Sequence, residues 1–521
     1  MTEHDEQIRG WRRHIHHHPE AAGNEYHTAQ YVFDVLREAG LNPELVLDGR
    51  GVVCDFGPDN GQRVALRADM DALEMPVGGR EKVIHACGHD AHTAMVLAAG
   101  QALASNPDRL GEVGIGVRLV FQPAEEAAEG AEEMVQAGLL DGIVRAFALH
   151  CDPRLAVGEF GVVVGPMNAS ADKLTIDFGG EPTGYSAVDA STDKLAVDFN
   201  GPGGHTVHPE ETADLIRAMS EFTATLQILL TGHIGADGTI EAAFGQFRAG
   251  EKMNAIPDSG RVEGMIRRAV IKYPIVHNLL QQRLQELKQR FDGLTYTLDH
   301  EPDADPADPS GPVGRPDGSV DLIHAIGEFT RDLDDALTER FESGKIVTVF
   351  GKAEAGYDIN ASHGAGTLTG TIRRAGVDKQ EVEQFLNQRL TELKERFPGL
   401  KTQLHHDELV PTVVNDPESI VLFMKAIASL GPGAATAIQM SMGGDDFAHF
   451  LNHTEKSGAY VNVGIWSGEG DKYSLHQPPL GLDEHALDER ALAYGARALA
   501  GTVLASGAAA TTSTFPSSDR I

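Results

Sequence analysis

Apolar positions follow two different spacings along this chain. In AQYVFDVLREAG they recur every three to four residues, which is typical of an amphipathic helix. Short runs rich in branched apolar residues, such as RVALRAD, VGIGVRLVFQ and IVRAFALHC, predict buried strands. Because helical segments alternate with such runs, we expect an α/β fold built on a largely parallel sheet.

Polar side chains follow the predicted strands at the points where those strands end. The candidates are Asp69, Asp71, Glu125, Glu126, His150 and His476. Ligand sites in α/β sheets lie beyond the ends of strands, so these residues are candidates for one common site.

The stretch HACGHDAH, residues 85–92, holds three histidines, a cysteine and an aspartate. A histidine near a helix start is often only a cap or a surface group, and 23 histidines form small clusters by chance. Cys87 and His89 are two residues apart, however, so both point the same way in an extended or tightly turned segment. Gly88 permits the turn, and we expect Asp90 to orient one of the imidazoles. The spacing favours two ligands of one metal centre.

Composition narrows the classes of protein to which this chain can belong. Its 521 residues, 41% of them hydrophobic, are enough for two or more domains with sizeable cores. The formal net charge of −34 disfavours nucleic acids and anionic membranes as partners. The chain has three cysteines, too few for a disulfide framework. It also has neither an apolar leader nor a run long enough to span a membrane, so we expect a cytoplasmic protein.

The acidic segment PAEEAAEGAEEM has two interpretations. Carboxylates stabilise the first turn of a helix, so paired acids after a strand are often only a helix start. A hydrolytic metal site instead needs two carboxylates, one to bind metal and one to accept a proton from water. Adjacent glutamates on a turn diverge enough to fill both roles.

Five segments, LRADMDAL, HACGHDAHT, FQPAEE, FALHCDP and LHQPP, occur in an order that resembles the M20 metallopeptidase family. They are most similar to its amidohydrolase branch, which includes N-acyl-amino-acid hydrolases (aminoacylases), indole-acetyl-amino-acid hydrolases and aminobenzoyl-glutamate hydrolases. The resemblance covers residues 9–168 and 411–500. HACGHDAHT followed by QPAEE is a highly specific combination.

The resemblance implies a centre of two divalent ions, Zn or Mn. Its implied ligands are Cys87, His89, Glu126, His150 and His476. Glu125 is implied as the general base toward water, and Asp71 as a residue that orients a ligand. The implied activity is hydrolysis of the amide bond of N-acyl-L-amino acids, which are small molecules. A dipeptidase of the same superfamily and an inactive metal-binding or sensing module are the alternatives.

Two segments depart from the family pattern. The usual EDF reads DDF here, so Asp445 stands where a glutamate is common and its side chain is one methylene shorter. The loop LEMPVGGREKVIH, residues 73–85, is shorter than usual and lacks the expected proline after Leu73. We expect both departures to change the substrate range without removing the metals.

The middle of the chain contains an internal repeat. The segment GQFRAGEKMNAIPDSGRVEGMIRRA from Gly245 returns as GKAEAGYDINASHGAGTLTGTIRRA from Gly351, an offset of 106 residues. Shorter repeats relate ADLIRAMSEFT to VDLIHAIGEFT, and DKLTIDF to DKLAVDF. This order predicts an inserted α+β lid region with two ferredoxin-like copies, one nested in the other.

The repeat and the motifs together predict the domain organisation. The catalytic, metal-binding domain comprises residues 1–168 and 411–521, lid copy A residues 169–190 and 319–410, lid copy B residues 191–300, and a Pro/Asp/Gly-rich linker residues 301–318.

The two lid copies differ at positions that the resemblance marks as functional. Enzymes of the family are often dimers in which the partner's lid lends a histidine and an asparagine, while the site's own lid lends an arginine. Copy B keeps His205, in GPGGHTVHPE, and Asn254, whereas copy A reads GGEPTGYSA without a histidine but keeps Arg373 for a substrate carboxylate.

The selective loss of the histidine predicts that copy B takes the part of a partner subunit within one chain. On this hypothesis the protein is a monomer with an internal lid pair, and His205 donates a hydrogen bond to the developing oxyanion. The alternative is that a duplicated module only enlarges an interface.

Overall fold

The computed structural model divides into two compact units. Unit 1 comprises Met1–Ala169 and Val410–Ile521, and unit 2 comprises Ser170–Leu409. The described residues are 3–59, 62–180, 191–206, 212–232, 239–269, 271–302, 320–341, 345–356, 364–431, 434–469, 472–483 and 485–510. Most of the predicted linker, from residue 303 onward, lies outside the described residues.

The α-helices include the predicted amphipathic helix around residues 29–40. They are α1 (Glu3–His17), α2 (Tyr26–Glu38), α3 (His89–Ala104), α4 (Pro107–Val113), α5 (Gly130–Gln136), α6 (Leu215–Gly232), α7 (Tyr273–Arg290), α8 (Leu322–Phe341), α9 (Lys379–Arg396), α10 (Pro417–Ala428), α11 (Phe447–His453), α12 (Pro478–Leu482) and α13 (Arg490–Ala510). Among the residues that the structure describes, no helix combines the length and the apolar character needed to cross a bilayer.

The strands include the three predicted from RVALRAD, VGIGVRLVFQ and IVRAFALHC, which are β3, β6 and β7. In chain order they are β1 (Pro43–Val46), β2 (Gly51–Phe56), β3 (Arg63–Asp69), β4 (Leu73–Val77), β5 (Arg80–Ile84), β6 (Gly116–Gln122), β7 (Ile143–Ala156), β8 (Phe160–Val162), β9 (Gly165–Pro166), β10 (Ala171–Gly179), β11 (Ser191–Asn200), β12 (Gly204–His205), β13 (Thr239–Ala249), β14 (Ala255–Ile256), β15 (Ser259–Ala269), β16 (Thr295–Pro302), β17 (Ile346–Ala355), β18 (Ala365–Arg374), β19 (Lys401–Val410), β20 (Val414–Asn415), β21 (Ala435–Ala437) and β22 (Gly458–Trp466).

Unit 1 is built on an eight-stranded sheet in the order β1-β2-β6-β3-β7-β22-β8-β21. Its central strands β6, β3, β7 and β22 run parallel. Leu66 packs in one core with α3 and α13, and its neighbour Ala65 packs in another core with α5 and α11. Both faces of the sheet are therefore covered, which explains why β3 is apolar at successive positions. The predicted α/β fold with a largely parallel sheet is confirmed.

The parallel strands of unit 1 end at one edge of the sheet. Asp69 at the end of β3 pairs with Gln122 at the end of β6, and Arg67 pairs with Ala148 in β7. The residues that follow these positions along the chain therefore emerge side by side, as expected for the carboxyl ends of parallel strands.

Residues 73–85, expected from the sequence to be a loop, are mostly a β-hairpin. Strand β4 pairs antiparallel with β5, and Val77 faces Arg80 across the turn. Gly78 and Gly79 form the turn with φ values of 60° and 78°. Two consecutive residues with positive φ make the tight turn that matches strand twist, and glycine adopts it without steric cost.

Unit 2 is built on a second eight-stranded sheet, in the order β16-β11-β15-β13-β17-β18-β10-β19. One half of the sheet, here called half B, is formed by β11, β13, β15 and β16 with helices α6 and α7. The other, half A, is formed by β10, β17, β18 and β19 with α8 and α9. Each half runs strand, helix, strand, strand, helix, strand along the chain, and the two halves share one hydrophobic core.

Candidate metal centre

The turn before α3 brings Cys87 and His89 to the same side of the chain. Gly88 between them has a φ of 92°, in the left-handed region that favours glycine. A Cβ atom on Gly88 would lie 3.0 Å from the Sγ atom of Cys151, so this position has no room for a side chain. The prediction that Gly88 permits a tight turn is confirmed.

Side chains from three distant segments meet those of this turn. Sγ of Cys87 lies 3.4 Å from Nε2 of His150 and 3.2 Å from Nε2 of His476. Oε1 of Glu126 lies 3.4 Å from Nε2 of His476 and 3.9 Å from Nε2 of His89. The structure thus brings all five predicted ligands into one cluster.

The orientation of the imidazoles fits a metal ion. Nδ1 of His89 lies 2.9 Å from the carbonyl oxygen of Asp71 and 3.1 Å from its Oδ1 atom, and Nδ1 of His150 lies 2.9 Å from the carbonyl oxygen of Cys151. With its proton on Nδ1, each ring turns Nε2, the coordinating nitrogen, into the cluster. Nε2 of His89 is buried without a hydrogen-bond partner. A cation would satisfy that atom.

Asp71 also fixes the position of Glu126. Its Oδ2 atom accepts a hydrogen bond of 2.8 Å from the backbone N–H of Glu126. One carboxylate therefore orients both the imidazole of His89 and the turn that carries the two glutamates.

Buried negative charge dominates the electrostatics of the cluster. Burial raises the pKa of Glu126, but His476 and His89 outweigh that effect and hold this pKa at about 2. Burial lowers the pKa of His89, yet Asp69 and Asp71 raise it to about 10. Burial, with Glu126 and Glu125 nearby, raises the pKa of the Cys87 thiol well above its ordinary value. A divalent ion would offset these carboxylates and stabilise the thiolate.

Glu125 lies in a group of three acids. Oxygen atoms of Glu125, Asp445 and Asp446 lie within 4.8 Å of one another. Burial, and then the negative charges of Asp445 and Glu126, raise the pKa of Glu125 well above its ordinary value. This environment gives Glu125 a high affinity for a proton.

Asp445 is held by two donors. The hydroxyl of Tyr460 donates a 2.5 Å hydrogen bond to Oδ2 of Asp445, and the backbone N–H of Phe447 donates a 2.9 Å hydrogen bond to Oδ1. The aspartate that replaces the common glutamate is therefore fixed in place by a tyrosine from β22.

A buried ionic network beneath the cluster had not been predicted as a unit. Arg67 contacts Asp69 at 2.5 Å and Asp446 at 3.0 Å. Nδ1 of His92 lies 2.6 Å from Asp69, and its Nε2 accepts a 2.8 Å hydrogen bond from the backbone N–H of Cys151. This network ties β3 to the segment that carries His150. The sequence signal was a lone arginine inside the apolar strand VALRA, because a buried charge requires partners.

The prediction that Asp90 orients an imidazole of the cluster was wrong. Oδ2 of Asp90 lies 2.7 Å from Nε of Arg12 and 2.9 Å from Nδ1 of His16, both in α1. Adjacent residues of a helix point to different sides, so Asp90 turns toward α1 when His89 turns toward the cluster.

Two non-glycine residues of the site have positive φ. His476 has a φ of 58° and Ala124, directly before Glu125, has a φ of 52°. The backbone N–H of His476 donates to the carbonyl of Ala86, and that of Ala124 donates to the Glu25 carboxylate, each at 2.8 Å. Strained backbone of this kind concentrates at functional sites, where surrounding contacts impose it.

The three predicted site residues of the lid lie in unit 2. His205 in β12 pairs with Ala255 in β14, and the backbone N–H of Thr206 donates a 3.2 Å hydrogen bond to the carbonyl of Asn254. Asn254 lies directly before β14, so its backbone is next to that of the strand that carries His205. Arg373 lies in β18 with 7% of its surface exposed, and its Nε has no hydrogen-bond partner. The segment in which copy A lacks the histidine, residues 181–187, is outside the described residues.

Comparisons with known proteins agree with the resemblance noted in the sequence. Residues 65–505 match the family described as Peptidase family M20/M25/M40. The chain is 30% identical over 498 residues to a putative glutamate--cysteine ligase 2-3 of Rhodococcus jostii, covering 94% of this chain and 45% of that protein. It is 33% identical over 303 residues to an N-acetyl-L-cysteine deacetylase of Bacillus subtilis, covering 56% of this chain and 64% of the deacetylase. It therefore spans less than two thirds of either relative.

The fold also resembles that of a solved structure. The Bacillus subtilis YXEP protein, a dinuclear metal binding peptidase from the M20 family, superposes with a TM-score of 0.60 at 20% sequence identity. The match covers 96% of this chain and 97% of that chain.

Proposed function

We propose, since this chain belongs to peptidase family M20/M25/M40, that it is a metal-dependent amidohydrolase acting on N-acyl-L-amino acids. The observation that carries the proposal is the buried cluster in which Cys87, His89 and Glu126 converge with His150 and His476, with Glu125 directly beside it. A ligand cluster of this kind next to a protonatable carboxylate is the arrangement that metal-dependent hydrolysis of an amide uses.

The proposed cofactors are two divalent ions, held by the five clustered ligands. Thiolate and imidazole ligands suit Zn, and the carboxylate makes Mn the other candidate. When bound, the ions supply Lewis acidity, which polarises the amide carbonyl and makes water a stronger acid. The protein contributes the fixed directions of His89 and His150 through their Nδ1 contacts.

Glu125 is the proposed general base and acid. It takes a proton from the attacking water and delivers it to the nitrogen of the leaving amine. The position of Glu125, with a carboxylate oxygen within 4.8 Å of ligand atoms of His89 and Glu126, supports this role. It also weighs against a pure metal-binding module, since such a module has no use for a base beside its ligands.

Arg373 is the proposed partner of the free carboxylate of the substrate. Burial lowers the pKa of its guanidinium to about 10, and the Nε atom has no hydrogen-bond partner. A guanidinium in this state gains by pairing with a carboxylate through two parallel hydrogen bonds. This favours substrates that end in an amino acid.

His205 and Asn254 are proposed to bind the acyl carbonyl, with His205 donating to the oxyanion that develops there. His205 lies in β12 and Asn254 lies directly before the partner strand β14, which supports a joint role. The acyl substrate class is also supported by the N-acetyl-L-cysteine deacetylase relative.

A hydrolysis screen tests the proposed function. The protein, reconstituted separately with Zn and Mn, is incubated with acetyl-, benzoyl- and indole-acetyl-amino acids and with free dipeptides, and the released amine is quantified. We expect turnover of N-acyl-amino acids, lowered by about 10²–10⁴-fold in the Glu125→Gln variant. Turnover of dipeptides alone would assign the dipeptidase activity instead, and no turnover of any substrate would overturn the proposal.

A further inference from the structure

The two halves of unit 2 join through strands β13 and β17, and their register is symmetric. Phe247 pairs with Ala355, Arg248 with Glu354, and Ala249 with Ala353. The repeat offset of 106 residues makes Arg248 and Glu354 equivalent positions of the two halves. A position that pairs with its own equivalent lies on a two-fold axis, as in the interface of a symmetric dimer.

Glycines at the two ends of this junction repeat the symmetry. A Cβ atom on Gly250 would lie 1.8 Å from the carbonyl oxygen of Gly351, and one on Gly356 would lie 1.9 Å from the carbonyl oxygen of Gly245. The same offset relates Gly250 to Gly356 and Gly245 to Gly351. The backbones therefore approach each other equally closely on both sides of the axis.

The helices that lie over the junction follow the same axis. A Cβ atom on Gly327 in α8 would lie 2.6 Å from Oγ1 of Thr223 and 2.9 Å from the carbonyl oxygen of Ser220, both in α6. In the repeated segments ADLIRAMSEFT and VDLIHAIGEFT, Ser220 and Gly327 are equivalent. Sheet and helices thus agree on one pseudo-two-fold axis.

The charges at this junction, by contrast, are not symmetric. Arg217 of half B contacts Asp335 of half A at 3.0 Å and Asp334 at 3.3 Å. In the repeat, the equivalent of Arg217 is His324, and the equivalents of the two aspartates are Gln227 and Ile228.

Because of these charge differences, half B is complementary to half A, whereas neither half is complementary to a second copy of itself. Pairing two copies of half B would oppose Arg248 to Arg248 and leave Arg217 facing Gln227 and Ile228. Pairing two copies of half A would oppose Glu354 to Glu354. Like charges directly opposite one another destabilise a strand pair, so only the pairing of B with A avoids repulsion at the axis.

We propose that half B is a built-in partner subunit: it occupies, within the same chain, the sheet edge through which half A would otherwise pair with a second copy. The charges around the axis select this pairing. A Cβ atom on Gly180 would lie 3.1 Å from Cβ of Val320, so the chain leaves half A and returns to it at nearly one point. An inserted module that exits and re-enters at one point can fold back onto its host.

A disulfide across the junction tests whether the pairing is within one chain. Ala249 and Ala353 are buried register partners, and opposed residues of antiparallel strands lie within the span of a disulfide. In the Ala249→Cys/Ala353→Cys variant of the full chain, oxidation should give a cross-linked product that runs as a monomer on a denaturing, non-reducing gel. Each single variant is a control for the native Cys54, Cys87 and Cys151, which are buried in unit 1.

Two results would overturn the proposal. A cross-linked species of twice the mass would show that half B pairs with half A of another chain, as in a domain-swapped dimer. Failure of the double variant to cross-link when it is refolded from urea under oxidising conditions would show that β13 and β17 are not adjacent. Neither result depends on the proposed catalytic activity.

Charge reversal tests the selection by charge. Arg217→Glu and Asp335→Lys should each lower the urea midpoint of unit 2, and the two together should recover much of the loss. The exposed pair Arg109 and Glu112 in unit 1 is the matched control, for which the same exchange should shift the midpoint little. If the decrease in urea midpoint of the double variant equals the sum of the decreases of the two single variants, the charge selection is overturned.

Discussion

Tyr460 donates a hydrogen bond of 2.5 Å to Asp445, the residue that stands where a glutamate is common. Both side chains are buried, and Asp445 lies against Glu125. The tyrosine hydroxyl thus fixes a carboxylate that is one methylene shorter than the common glutamate.

Tyr460→Phe should destabilise unit 1, because a buried charged acceptor loses its donor. The loss of unfolding free energy should be about 1.5–3 kcal/mol. Urea unfolding monitored by far-UV circular dichroism measures it, with Tyr473→Phe, a partly buried tyrosine of the same unit, as the control. An unfolding free energy equal to that of the unchanged protein would contradict the prediction.

Cys87→Ser should lower the metal content of the protein. A serine hydroxyl remains protonated where a thiolate binds metal, so the substitution weakens the centre without changing its shape. Elemental analysis after dialysis against metal-free buffer provides the measurement. Cys151→Ser is the matched control, since Cys151 is buried nearby but its carbonyl, not its thiol, contacts His150. Equal metal content in the two variants would count against the assignment of Cys87 as a ligand.

Glu125→Gln and Glu126→Gln should separate chemistry from metal binding. Glutamine at 125 cannot accept a proton, so turnover should fall by about 10²–10⁴-fold while the metal is retained. Glutamine at 126 should lower metal content first, and activity as a consequence. Metal analysis and kcat measured on the same samples distinguish the two effects. If both variants lose metal equally, the two roles are wrongly assigned.

His205→Ala should be nearly inactive, and mixing it with Glu125→Gln should restore nothing. If half B serves the metal centre of its own chain, neither variant can lend its intact residue to the other. Activity measured over a range of mixing ratios and incubation times tests this. The specific activity of the unchanged protein should also stay constant on dilution, since no association limits site assembly. Recovered activity in the mixture would place His205 in a partner chain.

Acid should destabilise unit 2 through two equivalent buried aspartates. Asp172 contacts Arg374 and lies 2.7 Å from Nε2 of His406, and Asp193 lies 2.7 Å from Arg268 and 3.3 Å from His300. Burial raises the pKa of each carboxyl, but the histidine and the arginine outweigh it and lower this pKa below the ordinary value.

A carboxyl with a lowered folded-state pKa contributes stability that is present above its unfolded pKa, about 3.9, and lost as pH falls through the folded value. Urea midpoints measured from neutral pH down to about pH 3 should therefore fall. Asp172→Asn should be less stable at neutral pH but lose less on acidification. The same slope in the variant and the unchanged protein would exclude Asp172 as a source of acid sensitivity.

Features that depend on local pattern could be predicted from the sequence. Hydrophobic periodicity located α2, β3, β6 and β7, because the spacing of apolar residues reflects the repeat of a helix or a strand. The ordered motifs identified the family. The internal repeat showed that Gly245 and Gly351 are equivalent positions without any knowledge of how the strands pair. The roles of the individual site residues remain predictions.

The partners of buried polar groups and the register of distant strands were decided only by the tertiary structure. Asp90 meets His16, 74 residues away, instead of an imidazole of the cluster next to it in sequence. Arg248 lies opposite Glu354 because β13 and β17 pair at one register. Such contacts depend on which elements pack together and at what offset. No local pattern of residues encodes that choice, because it depends on burial and strand pairing summed over the whole domain.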